Sequence, residues 1–170
     1  PTSVEPVTRH IPRDMDLGAF FQRCVALNNL LAEGLGAGPL RQVLGKLTVP
    51  VNEHSKWKGL KLLNEVVCMA QVARTTGLAL VANAELVRQE LKASGTEPVQ
   101  PLETLFALYD LRIVASHTSS NPTQELENKL GRLGIEPGDY AGGFGLCLDR
   151  IYDALGVELS RMAGTLNDVH

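Results

Sequence analysis

The segment "LYDLRIVASHTSS", Leu108 to Ser120, carries an arginine at position 112 and a histidine at 117, with a run of hydroxyl side chains immediately after. Those residue types suit RNA chemistry. RNA holds its own nucleophile, the 2′-hydroxyl, beside each phosphate. Cleavage then needs a group to move a proton and a cation to steady the crowded phosphate. Histidine titrates near neutral pH and does the first. Arginine stays charged and offers a planar fork of donors to phosphate oxygens. Spacing by itself does not single the pair out, since chance supplies roughly 0.7 such pairs in a chain of this composition. Both residues also sit where a helix ends, and positive charge is favoured at that end of the macrodipole with no function attached.

Geometry sets a condition on the chemical reading. Five positions along an ideal helix are about 140° of rotation, so Arg112 and His117 do not share a face of a continuous helix. They converge where the helix ends or bends near Ser116. The stretch "SHTSSNP" predicts that ending, because hydroxyl side chains compete for backbone partners. The expected end lies between Ile113 and Thr118. Asp110 is placed to orient Arg112, and Ser116 and Ser119 to position a substrate.

The elements that must hold these residues read as helices. Prolines and an absence of periodicity mark residues 1–15 as an irregular arm, followed by a single all-helical domain over 16–170. Leu17, Phe20, Phe21, Cys24, Leu27 and Leu31 recur at three- and four-residue spacing, predicting a helix from about Asp16 to Glu33 with Gly34 as its stop. "GPLRQVLGKL" is a short helix with Pro39 in its first turn, and "TVPVNEH" reads as a loop. Ser55 is a candidate cap for the longest helix, reaching Thr76 before Gly77, with a buried stripe of Trp57, Leu60, Leu63, Val67 and Ala70. Asn83 caps a helix ending near Ala93, and the prolines of "TEPVQP" mark a linker.

A helix begun at Pro101 repeats Leu102, Leu105, Phe106, Tyr109 and Ile113 on one face. Asn121, Pro122 and Gln124 form a capping arrangement for the next, which ends at Leu133 and Gly134. "GIEPGDYAGGFG" reads as a flexible glycine-rich connection. The last helix carries Leu146, Ile151, Leu155 and Leu159. No stretch sustains strand-like alternation. The fold expected is an all-α bundle of six or seven helices, its core built from Leu, Val and Ala because aromatics are only 5% of the chain.

The segment "LYDLRIVASH", preceded by a proline-started helix and followed by a capped one, resembles the signature of the HEPN superfamily. The resemblance covers Ser55 to Leu166 as a fold pattern and carries over residue by residue to Arg112 and His117. It implies a small helical bundle, usually dimeric, in which arginine, four to six residues and histidine line a cleft shared by two protomers. Many members are metal-independent endoribonucleases of toxins, phage defence and RNA processing; others have lost activity and serve as interaction modules. This sequence differs at Ile113, where a polar residue is frequent, and at Ser119, where one toxin subgroup carries tyrosine.

Composition restricts the alternatives. The formal net charge is −3, so nucleic acid is not held by overall charge. Any such contact is local, and the mildly basic zone runs from Arg41 to Lys61, with Lys46, Lys56 and Lys58 against Glu53. Lys56 and Lys58 are the candidate RNA-backbone contacts; a merely solvated face is the plainer reading of such a cluster. Cys24, Cys68 and Cys147 are widely spaced with no zinc or disulfide pattern, which fits a reducing cytoplasm. His10, His54 and His170 have no ligand partners nearby in sequence. Glu125 and Glu127 point different ways on a helix. "GAGPLRQVLGK" lacks the GK[ST] of a phosphate loop, and "YAGGFG" the strand and spacing of a dinucleotide turn. No metal or organic cofactor is implied. No apolar run is long enough for a bilayer, since Arg74 interrupts the best one. The chain begins at Pro1 rather than Met, as a processed protein, a trimmed one or a fragment of a larger one does. Two functions follow: a HEPN-like endoribonuclease acting as a homodimer on single-stranded RNA, or a non-catalytic helical module for dimerisation or a protein partner.

Overall fold

A computed structural model describes residues 7, 11–93, 101–116 and 122–168. Its described residues contain helices and no strand, in keeping with the all-α expectation. The α-helices are α1 (Leu17–Asn28), α2 (Ala37–Lys46), α3 (Val51–His54), α4 (Gly59–Thr76), α5 (Ala84–Ala93), α6 (Glu103–Ser116), α7 (Pro122–Gly131) and α8 (Gly145–Asn167). That is eight among the described residues, where six or seven were expected. The additional one is α3, a single turn inside "TVPVNEH". It starts at Pro50, whose carbonyl accepts from the Glu53 amide at 3.0 Å, and it is anchored by the buried His54. One turn is too short for hydrophobic periodicity to register.

Contacts divide the chain into two compact units, 1–34 with 103–157, and 35–102 with 158–170. In the first, Asp16 caps α1 by accepting the Ala19 amide at 2.7 Å, one of the orphan donors of a helix start. Phe20, Cys24 and Leu27 are buried, and α1 packs along α6. The helical rod continues through Glu33, as the spacing predicts, but Asn29–Glu33 is wound as a π-helical turn. Such turns widen the helix and shift the faces beyond them.

Helix α6 buries Thr104, Leu105, Ala107, Leu108, Leu111 and Val114. The expected stripe through Phe106, Tyr109 and Ile113 is rotated from this: Tyr109 is exposed and the other two only half-buried. Apolar residues occur on nearly every side of α6, so periodicity alone does not select the inward face. Helix α7 packs against α6 and closes through Gly134, at φ 68°, with the Ile135 amide donating to Leu130 at 3.1 Å.

The glycine-rich segment before α8 is a close backbone contact, not a flexible connection. The Phe144 amide donates to the Met15 carbonyl at 2.8 Å. A Cβ on Gly143 would lie 2.6 Å from the Arg13 carbonyl oxygen, and one on Gly145 would collide with Pro12. Phe144 stacks on Tyr140 with ring centroids 5.2 Å apart, and Tyr152 donates its hydroxyl proton to the Val7 carbonyl at 2.6 Å. Residues 12–15, read as part of an irregular arm, are thus pinned to this segment.

The second unit is built on α4. Leu62, Val66, Met69, Ala70 and Ala73 pack with Leu44, Leu47 and Val49 from the α2 side and with Leu80, Ala84 and Val87 from the α5 side. Leu62 takes the place expected for Leu63, which is half-buried. Gly77 ends α4 in the left-handed region, at φ 69°, as its sequence position predicts. The start differs from expectation: Ser55 lies at the end of α3, and α4 begins at Gly59. A Cβ there would lie 2.6 Å from the Leu35 carbonyl oxygen. Asn83 precedes α5 as expected, but its side-chain amide donates backward to Ala79 at 3.1 Å. The "TEPVQP" linker lies mostly outside the described residues.

Candidate functional site

Arg112 lies on α6, one turn before Ser116. Its Nη2 is 2.6 Å from a carboxylate oxygen of Glu33, with the arginine side chain 34% exposed. The guanidinium also sits over the Tyr109 ring at 5.9 Å. These contacts hold the fork in one orientation while part of it still meets solvent. Glu33, at the end of the π-helical turn after α1, is a partner that sequence reasoning missed. Its position 79 residues upstream of Arg112 leaves no local signal.

Asp110 does not orient Arg112. Two positions on an α-helix are about 200° apart, which sends the two side chains to opposite sides. Asp110 Oδ2 instead accepts from Lys129 at 2.9 Å and from Arg132 at 2.8 Å. Those two cations, also missed in the sequence, hold α7 and the turn after it against α6. Beside them is an open cleft of about 400 Å³ lined by Asp110, Ile113, Val114, Glu125, Asn128, Lys129 and Arg132. Its polar rim carries charges of both signs, so it is not a free anion site. Glu125 is on this rim, and Glu127 is half-buried.

Ser116 donates its hydroxyl proton to the Arg112 carbonyl at 2.9 Å. That back-bond belongs to the close of the helix, and the side chain is exposed. His117 and Ser119 lie outside the described residues, as do Asn121, His10 and His170. The convergence of Arg112 with His117 therefore falls outside them too. Helix α6 is described to Ser116, and the part of the expected end window from His117 to Thr118 lies outside the described residues.

Lys56 and Lys58 are exposed in the segment joining α3 to α4. His54, next to them in sequence, is buried: its Nε2 is 3.3 Å from the Val49 carbonyl oxygen and its Nδ1 has no protein partner. This places it as a packing residue of α3. The three cysteines are buried and free. Burial pushes the Cys68 and Cys147 thiols up to about 11 and Cys24 higher still, so none is poised as a nucleophile. Among the described residues, no group of three or more His, Cys, Asp or Glu side chains is arranged to hold a metal ion, and no helix is long and apolar enough to cross a membrane.

Comparison of the chain with protein-family models, with curated proteins and with solved structures returned no match.

Proposed function

We propose that this chain is a HEPN-like, metal-independent endoribonuclease domain that acts as a homodimer on single-stranded RNA. The observation that carries the reading is the state of Arg112. It is a positioned and partly solvent-facing arginine on α6, one turn before Ser116 and five residues before the only histidine of the segment. In this reading Arg112 binds the scissile phosphate and stabilises its transition-state charge. His117 moves the proton at the 2′-hydroxyl or at the leaving oxygen. Glu33, rather than Asp110, is the positioning residue that orients the guanidinium, while Ser116 and Ser119 flank the substrate.

A second reading rests on the same pair. Glu33 already neutralises Arg112, and Asp110 is taken up by Lys129 and Arg132. Charges satisfied internally suit a helical module that pairs with another protein and does no chemistry.

Purified protein incubated with single-stranded RNA and a chelator separates the two. The nuclease reading expects cleavage leaving a 2′,3′-cyclic phosphate, because the nucleophile is the substrate's own hydroxyl. His117→Ala lowers the rate roughly 10²- to 10⁴-fold, and Arg112→Ala about 10²- to 10³-fold, with helix content and melting unchanged. Light scattering of the same samples gives a dimer. Equal trace cleavage by wild type and His117→Ala marks contamination and hands the assignment to the interaction module. A monomer at micromolar concentration removes the shared cleft.

A further inference from the structure

The segment between α3 and α4, Ser55-Lys56-Trp57-Lys58, is clamped from both sides. Arg41, on α2, donates through Nη2 to the carbonyls of Ser55 at 3.1 Å and Trp57 at 2.9 Å. At the other end, Gly59 fits against the Leu35 backbone where no Cβ has room. The indole of Trp57, the chain's single tryptophan, packs on the core of the second unit. The Lys61 ammonium sits over its ring at 4.6 Å. Between these anchors Lys56 and Lys58 stand exposed, and neither has an ion-pair partner among the described residues.

The charges of Lys56 and Lys58 are not offset by a neighbouring carboxylate of their own segment. The one acidic residue from Arg41 to Lys61 is Glu53, and it is engaged by Arg88 at 2.5 Å and Lys92 at 3.4 Å. Beyond it, Glu65 is half-buried on α4, one turn from Lys61. In a chain of net charge −3, this leaves a rigid cationic ridge of Arg41, Lys56, Lys58 and Lys61. Ordering the loop beforehand removes part of the entropy that binding otherwise costs. The only apolar side chain of the loop is packed inward and covered by a cation, so it offers no wedge to a lipid surface. A phosphate backbone, which asks for positive charge and no apolar insertion, fits it better.

We propose that this ridge docks the phosphate backbone of single-stranded RNA, with Lys56 and Lys58 making the contacts and Trp57 serving as their anchor. The choice of RNA rests on the ribonuclease reading of Arg112 and His117. The test uses the full chain carrying His117→Ala, so that the probe stays intact, and a short fluorescein-labelled oligouridylate followed by anisotropy and by Trp57 emission. Binding is expected to change Trp57 emission. Lys56→Ala/Lys58→Ala is expected to weaken binding and to reduce the slope of log K against log salt by about 1.4, two single-strand contacts at about 0.7 each. The substitutions are on the surface, and unchanged circular dichroism secures the comparison. An unchanged affinity and slope in the double variant overturns the proposal. So does equal affinity for heparin, or for vesicles of phosphatidylcholine and phosphatidylserine, which makes the ridge a general polyanion surface. Cleavage by wild type with no effect of the double variant sinks the docking surface and leaves the nuclease. Lysine-dependent binding with no cleavage by wild type does the reverse.

Discussion

At the scale of single residues, angular position on a helix outweighs nearness in sequence. Asp110 is two residues from Arg112 yet faces the other way, while Glu33 reaches it from the end of another helical segment at 2.6 Å. Both members of that pair are partly exposed, so its worth to stability is about 0–1 kcal/mol, and its significance lies in orienting the guanidinium. Glu65 shows the opposite balance. Burial, followed by the neighbouring Glu53 charge, raises its pKa above the usual carboxylate range, against the pull of Arg88, Lys92 and Lys61. A carboxyl raised on folding binds its proton more tightly in the folded state, so stability falls as pH rises through the window above 4.5. Glu65→Gln is therefore expected to stabilise the protein at neutral pH, with the advantage shrinking as pH falls through that window and gone below about 4.5. Denaturant titrations of both proteins across that window check this; a difference independent of pH counts against the assignment.

At the scale of elements, α6 decides how the motif is presented. Its two alternative apolar faces make different energetic claims. Leu111 is completely buried, whereas Tyr109, on the face the spacing suggested, is 38% exposed. Leu111→Ala is expected to cost about 2–5 kcal/mol through lost burial and the cavity left behind. Tyr109→Ala is expected to cost about 1 kcal/mol or less, chiefly its contact with the Arg112 guanidinium. A melting shift of roughly 2–4 °C per kcal/mol makes the two distinguishable by calorimetry; equal shifts would place the inward face wrongly. The segment before α8 is decided by backbone proximity. Gly143 and Gly145 are needed because the chain at Pro12 to Asp14 passes where their side chains would be. Nothing in "YAGGFG" itself announces the strand of chain it must admit.

At the scale of the whole molecule, each unit closes its own thiols away from solvent. Cys24 and Cys147 belong to the first unit and Cys68 to the second, and all three are buried. With thiols raised to about 11 or beyond, the thiolate that reacts is scarce at pH 8. Native protein is expected to leave all three cysteines unlabelled by a disulfide reagent over minutes, and unfolded protein to titrate them fully. Rapid labelling of one thiol in the native state would mean that its unit opens locally on that timescale. The net charge of −3 is likewise a whole-chain quantity that hides a local excess of positive charge beside Trp57.

Local physics was legible in the sequence because its causes are local. The helical periodicity, the start of the first helix near Asp16, the stop at Gly77 and the all-α character all follow from side chains within a turn or two of where they act. The motif segment was legible for the same reason, as a helix that carries Arg112 through to Ser116. The single turn of α3 was not, since four residues are too few for a periodic pattern to register. The inward face of α6, the partner of Arg112, the pairing of Asp110 with Lys129 and Arg132, and the clamp of Arg41 on the Lys56–Lys58 segment were decided only by tertiary structure. Each depends on which distant segment arrives, and in a helix with apolar residues on nearly every side several arrivals satisfy the same local pattern.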